Sequence, residues 1–133
     1  MLRAILDTNV FVAAGFKAGS ASARLLAACA AGRLSLVWHE STRRETRAVL
    51  ERIPRLSWAA AAALFRPEGE HPEPLELAAV AFVEDGEDRK FAALALAAGA
   101  PLVSADRHLL DHRGRLPVTT AAEFLRGLEG TPG

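Results

Sequence analysis

Asp88-Arg89-Lys90-Phe91-Ala92-Ala93-Leu94-Ala95-Leu96-Ala97-Ala98-Gly99-Ala100-Pro101-Leu102-Val103-Ser104-Ala105-Asp106 decides how the rest of the chain is read. It opens on an acid, runs through an alanine-rich segment of strong helix propensity and stops at Gly99. The short apolar run Leu102-Val103-Ser104 follows, and a second acid ends it. A helix that feeds directly into a buried strand is half of a parallel βαβ unit, and here a carboxylate stands at each end.

The flanking segments repeat the alternation. Ala4-Ile5-Leu6 is a buried strand halted by the polar turn Asp7-Thr8-Asn9, and Val10-Phe11-Val12-Ala13-Ala14 begins a helix. After a loop at Gly15 to Gly19, either Ser20 or Ser22 caps a helix through Leu25, Leu26 and Cys29 to Gly32. Leu34 to Trp38 reads as a strand, Ser41 to about Arg52 as a helix that Pro54 stops, and Ser57 to Phe65 as an alanine-rich helix. Arg66 to Pro74, with Pro67, Pro72 and Pro74, is a loop. Ala78 to Val83 is either a strand or an extended approach to the acidic cluster Glu84-Asp85-Gly86-Glu87-Asp88. Leu116 to Thr119 is the last strand, and Thr120-Ala121-Ala122-Glu123 has the capping-box spacing of a helix through Phe124, Leu125 and Leu128. Residues 1–129 are expected to form one domain and 130–133 a disordered tail.

At 133 residues, half of them apolar, the chain can build one real core. Its 16 basic and 16 acidic residues cancel, so any patch that attracts a polyanion must be local. Cys29 is the single cysteine, which excludes an intrachain disulfide and suits a reducing compartment. The apolar run from Trp58 to Phe65 is too short to span a bilayer, and no export pattern follows Met1. These features predict a soluble, cytoplasmic protein without membrane association.

Strands separated by helices predict a parallel sheet covered on both faces, with chemistry gathered at the carboxyl edge. Asp7 and Asp106 each follow a strand and should share that rim. Periodicity places Glu45 with Val49 and Ile53 on a core-facing stripe, with Arg43, Arg44, Arg47 and Glu51 elsewhere. Asp88 shares a face with Phe91, Ala92 and Ala95. Each acid has a plain alternative: a turn for Asp7 or Asp106, an arginine partner for Glu45, a first-turn preference for Asp88. Together they point to a pocket of carboxylates that repel one another and lose solvation unless a cation compensates. Magnesium or manganese is the natural compensation, because these hard ions take oxygen ligands, activate water and steady charge on a phosphate. No cysteine or histidine cluster suggests structural zinc. His108 and His112 read as surface or helix-end histidines, and Trp38 and Trp58 as core or dimer contacts.

Asp7-Thr8-Asn9 after an apolar strand, Glu45 before Ala48-Val49-Leu50, Asp88 before Phe91-Ala92-Ala93-Leu94-Ala95, and Ser104-Ala105-Asp106 before Leu109-Leu110 resemble the PIN-domain family, in order and over nearly the whole chain. More narrowly, the chain is similar to the stand-alone bacterial PIN proteins of the VapC type, toxins of toxin–antitoxin pairs. The resemblance implies an α/β fold, a single PIN-like domain with a small parallel sheet flanked by helices, acting as a metal-dependent endoribonuclease. It carries Asp7, Glu45, Asp88 and Asp106 onto the family's metal-binding acids, Asn9 onto the residue that supports the first acid, and Ser104 onto a site-lining hydroxyl. Mg2+ or Mn2+ is the implied cofactor; an RNA substrate, a small antitoxin protein and a homodimer are the implied partners. An RNA-processing nuclease without a toxic role would use the same residues, and a noncatalytic nucleic-acid-binding module would keep the fold. Gly86 stands where the narrower group often has proline, and Ala105 replaces its glycine or arginine. That leaves Asp85 as a helix cap, a supporting acid or an occasional ligand. Arg43, Arg44 and Arg47 beside Glu45, and Arg89, Lys90 and Arg107 beside the other acids, are candidate RNA phosphate contacts.

Overall fold

Strand β1 (Leu2–Leu6) is the axis of the sheet because its apolar run is covered on both faces. Ala4 and Leu6 pack into one cluster and Ile5 into the other, as the two-residue period of a strand requires. In the computed structural model, which describes residues 2–130, β1 pairs in parallel with β2 (Leu34–Leu36) on one side and β3 (Leu102–Val103) on the other. Strand β4 (Val118–Thr119) extends the same sheet, giving the order β2-β1-β3-β4 with every pairing parallel. Ile5 lies opposite Leu102 and Leu6 opposite Val103, so Asp7 and Ser104 leave neighbouring strands at the same level. Of the tail expected at 130–133, Gly130 closes the last helix and the rest lies outside the described residues.

The helices are α1 (Thr8–Phe16), α2 (Ala21–Ala30), α3 (Glu40–Arg52), α4 (Trp58–Ala62), α5 (Gly86–Ala98), α6 (Arg107–Leu110) and α7 (Ala121–Glu129). Ser20 caps α2 by accepting the Ala23 N–H at 3.1 Å, and Ser22 is buried instead. Thr120 and Glu123 form the expected capping box at α7, and Gly99, at φ 64°, ends α5 in the left-handed cap that favours glycine. One core cluster joins Leu6, Phe11, Leu25, Leu50 and Leu125; the other joins Ile5, Val83, Phe91, Leu94 and Leu109. Cys29 is buried in the first, its thiol pushed up to about 11 by burial, which makes it unreactive at neutral pH. Among the described residues no single helix is long and apolar enough to cross a membrane.

Three local expectations are corrected. Ala78 to Val83 is not extended: Leu77–Val80 is a 3-10 turn, and a second tight turn carries the chain to Val83. Its fully buried anchors, Val80 and Val83, are three apart, which matches a three-residue turn and not the two-residue period of a strand. Helix α4 is shorter than expected because Leu64 and Phe65 turn back through bonds to Ala61 and Ala62. Strand β2 ends at Leu36, and Trp38 instead bridges to Glu70.

That bridge depends on Gly69. A Cβ there would lie 2.0 Å from the Leu36 carbonyl oxygen, and the Gly69 carbonyl accepts the Trp38 N–H at 3.0 Å. Gly69→Ala is expected to destabilise the fold by roughly 2–3 kcal/mol, because backbone rather than a flexible side chain blocks the added methyl. A lower urea midpoint with an unchanged slope checks this.

Candidate active site

The acids gather where the strands end. The Asp7 N–H donates to the Val103 carbonyl at 3.0 Å, which continues the β1–β3 ladder one residue beyond the strand and sets Asp7 at the sheet edge, 5% exposed. Its own carbonyl accepts from Val10 and starts α1. Ser104, fully buried on the neighbouring strand, donates its hydroxyl to Asp7 Oδ2 at 2.6 Å and accepts the Asp106 N–H at 3.0 Å. One hydroxyl therefore joins two acids that lie 99 residues apart in sequence (106 − 7). Asp106 also caps α6 through the His108 N–H at 2.8 Å.

Helix α5 brings Asp88 into its first turn, above the buried Phe91, Ala92 and Ala95, as periodicity predicts. Helix α3 brings Glu45. Asp7, Asn9, Glu45, Asp88 and Asp106 line a pocket of about 240 Å³, with Thr8, Val12, Val49, Glu87 and Phe91 completing its wall.

The electrostatics match this crowding. Burial raises Asp7 above its ordinary value, against the lowering effect of the Ser104 hydroxyl. Asp88 is pushed up to about 8, first by burial, then by a hydrogen bond to Asp106 that only its protonated form can donate, then by the charges of Asp106, Asp7 and Asp85. Ser104→Ala is expected to move the Asp7 titration to higher pH, because Ser104 is the strongest group holding it down. The side-chain carboxyl carbon shift of Asp7 reads this directly, and an unmoved titration would show that the bond does not bear on the charge.

Several sequence expectations change at this level. The core stripe of α3 is Thr42, Thr46 and Leu50; Glu45 and Val49 lie at its edge, half-buried, on the pocket wall. Threonine could fill that stripe because each hydroxyl is satisfied, Thr42 by the His39 carbonyl at 2.8 Å and Thr46 by Thr8 at 3.0 Å. The Asn9 backbone N–H adds the smallest of the effects that lower the Asp7 pKa, while its side-chain Oδ1 is buried without a partner; the orienting bond comes from Ser104. Asp85 is the N-cap of α5, accepting the Glu87 N–H at 2.9 Å, and does not line the pocket. Glu87 does, and sequence reasoning passed over it because an acid in a first turn already has a reason to be there.

Most of the basic candidates are engaged elsewhere. Arg43 and Arg47 lie over the Trp58 ring of α4 at 5.3 and 5.8 Å, and pair with Glu40 and Glu51. Arg44 pairs with Glu40 and Lys90 with Glu87. Arg89 donates to the Val83 carbonyl at 2.8 Å and so fastens the turn that precedes α5. Arg107, exposed beside Asp106, has no side-chain partner among the described residues. His108 and His112 flank Glu84 at 3.3 and 3.4 Å, away from the pocket lining.

Among the described residues no three acidic, histidine or cysteine side chains already form a tight metal-ready cluster; the carboxylates are spread around the pocket. The donor set nonetheless fits a hard divalent cation. It consists of oxygens, Asp88 Oδ2 and Asn9 Oδ1 are buried without partners, and the raised Asp7 and Asp88 show that their ionised forms lack a compensating cation among the described residues.

Comparison with known proteins places this arrangement. The crystal structure of PAE2754 from Pyrobaculum aerophilum is similar over 98% of both chains, with a TM-score of 0.59 and 20% sequence identity, a likeness of fold. A search of curated protein sequences gives no match. The sequence pattern of the PIN domain matches residues 3–108, a span that carries all four of the acids predicted to bind metal. With the parallel sheet and its acidic rim, that match shows that the chain belongs to the PIN domain family.

Proposed function

We propose that this PIN domain is a Mg2+- or Mn2+-dependent endoribonuclease and the toxin of a toxin–antitoxin pair. PIN membership implies a nuclease fold, and the observation that supports metal-dependent cutting is the Asp7–Ser104–Asp106 linkage, which lines one pocket with Glu45 and Asp88. Asp7 and Asp106 are the principal metal holders, with Glu45 and Asp88 completing the donor set. Bound there, the cation would supply an activated water and positive charge at the scissile phosphate.

The chain's own groups do the remaining work. The Ser104 hydroxyl fixes the rotamer of Asp7, and Asp88, raised to about 8, can take a proton from the attacking water in its ionised form. Attack by water rather than by the ribose 2′-hydroxyl leaves a 5′-phosphate and a 3′-hydroxyl. Mass spectrometry of products from a mixed RNA pool cut with Mn2+ tests this, and a 2′,3′-cyclic phosphate would sink it. Persistent cutting in chelator would show that the activity does not need the cation.

Arg107 is the candidate phosphate contact without a side-chain partner among the described residues. Arg107→Ala is expected to weaken RNA binding across sequences and to reduce the slope of log affinity against log salt by about 1, whereas Arg89→Ala should act through stability. An unchanged salt slope would remove Arg107 from the interface.

The toxin role, a small inhibitory antitoxin and a homodimer belong to this proposal through the sequence resemblance, and a cytoplasmic setting through the single cysteine, which suits a reducing compartment. Growth arrest on induction, relieved by Asp106→Asn, supports the toxin reading. Harmless expression of demonstrably active enzyme would move it to RNA processing.

A further inference from the structure

We infer that Thr46 is a positioning residue for the metal pocket: its hydroxyl bond to Thr8 sets the separation of Glu45 from Asp7. The inference rests on the proposed metal binding and adds a residue that is itself outside the pocket lining.

The two hydroxyls meet at 3.0 Å, with Thr46 1% and Thr8 8% exposed. Around them the contact between α1 and α3 is apolar, with Val10, Phe11 and Leu50 all buried. Two valines would satisfy such a contact by packing alone, and would avoid removing two polar groups from water. A hydroxyl pair fixes the distance instead. Oxygen atoms joined by a hydrogen bond sit roughly 0.5–1 Å closer than two methyl carbons in contact, and the bond has a preferred direction.

The pair lies where distance matters. Thr8 follows Asp7 directly, and its backbone N–H helps lower the Asp7 pKa against burial. Thr46 follows Glu45 on the rigid turn of α3 that forms one wall of the pocket. Asp7 is fixed to the sheet by Ser104, while among the described residues Glu45 is tied to the sheet edge only through its helix. Displacing α3 by about 0.5 Å would move Glu45 out of the tolerance that a preorganised site allows.

The test is Mn2+ affinity, measured by calorimetry on the metal-free full chain, together with thermal melts. Thr46→Val is expected to weaken Mn2+ binding about tenfold, in the range typical of groups that orient ligands from behind. Thr46→Ser, which keeps the hydroxyl, is expected to bind as wild type; Thr46→Ala, which opens space without adding bulk, is expected to lose affinity as valine does. Wild-type affinity in both the valine and alanine variants would overturn the inference, as would a serine variant as weak as valine, which would assign the effect to the methyl group. A wild-type protein that binds no Mn2+ would overturn the metal reading and this inference with it.

Discussion

Asp7→Asn is expected to lower RNA cleavage at least about a thousandfold while leaving the fold intact. The substitution keeps shape and size at a position that is 5% exposed, and the Ser104 hydroxyl can still donate to an amide oxygen. What disappears is one full negative charge at the junction of β1, β3 and α1, on the acid that the Ser104 hydroxyl orients. Removing a single well-placed electrostatic group from an active site typically costs about a hundred- to a thousandfold, roughly 3–4 kcal/mol of barrier. A metal ligand bears on both cation binding and charge at the phosphate, which puts the expectation at the upper end. Stability should move the other way, because burial raises the Asp7 pKa and an asparagine has no charge to desolvate. Single-turnover cutting in Mn2+ and a melt of the same preparation read the two effects. Residual activity within tenfold of wild type would mean that Asp7 does not hold the cation.

Apart from the four-residue α6, which reads only as a turn after Asp106, the helices, the parallel sheet and the acidic rim were legible in the sequence because each rests on a local signal. Apolar runs stop at Asp7 and at Ser104-Ala105-Asp106, Gly99 ends α5, and Thr120 with Glu123 starts α7. What was not legible depends on partners far apart in the chain. Thr46 reads as a polar helix residue until Thr8, 38 positions away, satisfies its hydroxyl, and this moved the core stripe of α3 off Glu45. Arg89 reads as a charge beside the site until the turn from Ala81 to Val83 supplies carbonyls for it to bind. Arg43 and Arg47 likewise read as neighbours of Glu45, but a side chain three or four residues away on the helix serves Trp58 as readily as the pocket. Glu87 was hidden for the opposite reason, since the helix dipole alone accounts for an acid at that position.

Asp88→Asn is expected to raise the melting temperature of the metal-free protein at pH 7.5 and to flatten its pH dependence. In the folded state Asp88 titrates at about 8, against about 3.9 for an aspartate in an unfolded chain. The folded protein therefore holds this proton more tightly. Above pH 8 the carboxylate is ionised in both states and its full penalty falls on the fold; the penalty shrinks as pH falls from 8 toward 4 and is gone below. Wild type should gain stability across that window, and the asparagine variant should show little of the change. Asp88 is only half-buried, so solvent screening reduces the effect to roughly 1–2 kcal/mol at pH 7.5, or a few degrees in melting temperature. Loss of a favourable first-turn charge opposes this by about 0.3–1 kcal/mol, and burial together with Asp106, Asp7 and Asp85 outweighs it. Mn2+ should reverse the order of the two proteins by stabilising wild type more than the variant, since a bound cation relieves the repulsion that asparagine removes. A variant that melts below wild type at pH 7.5 without metal would show that Asp88 is held by partners rather than strained by its neighbours, and the case for a cation between these carboxylates would lose its electrostatic ground.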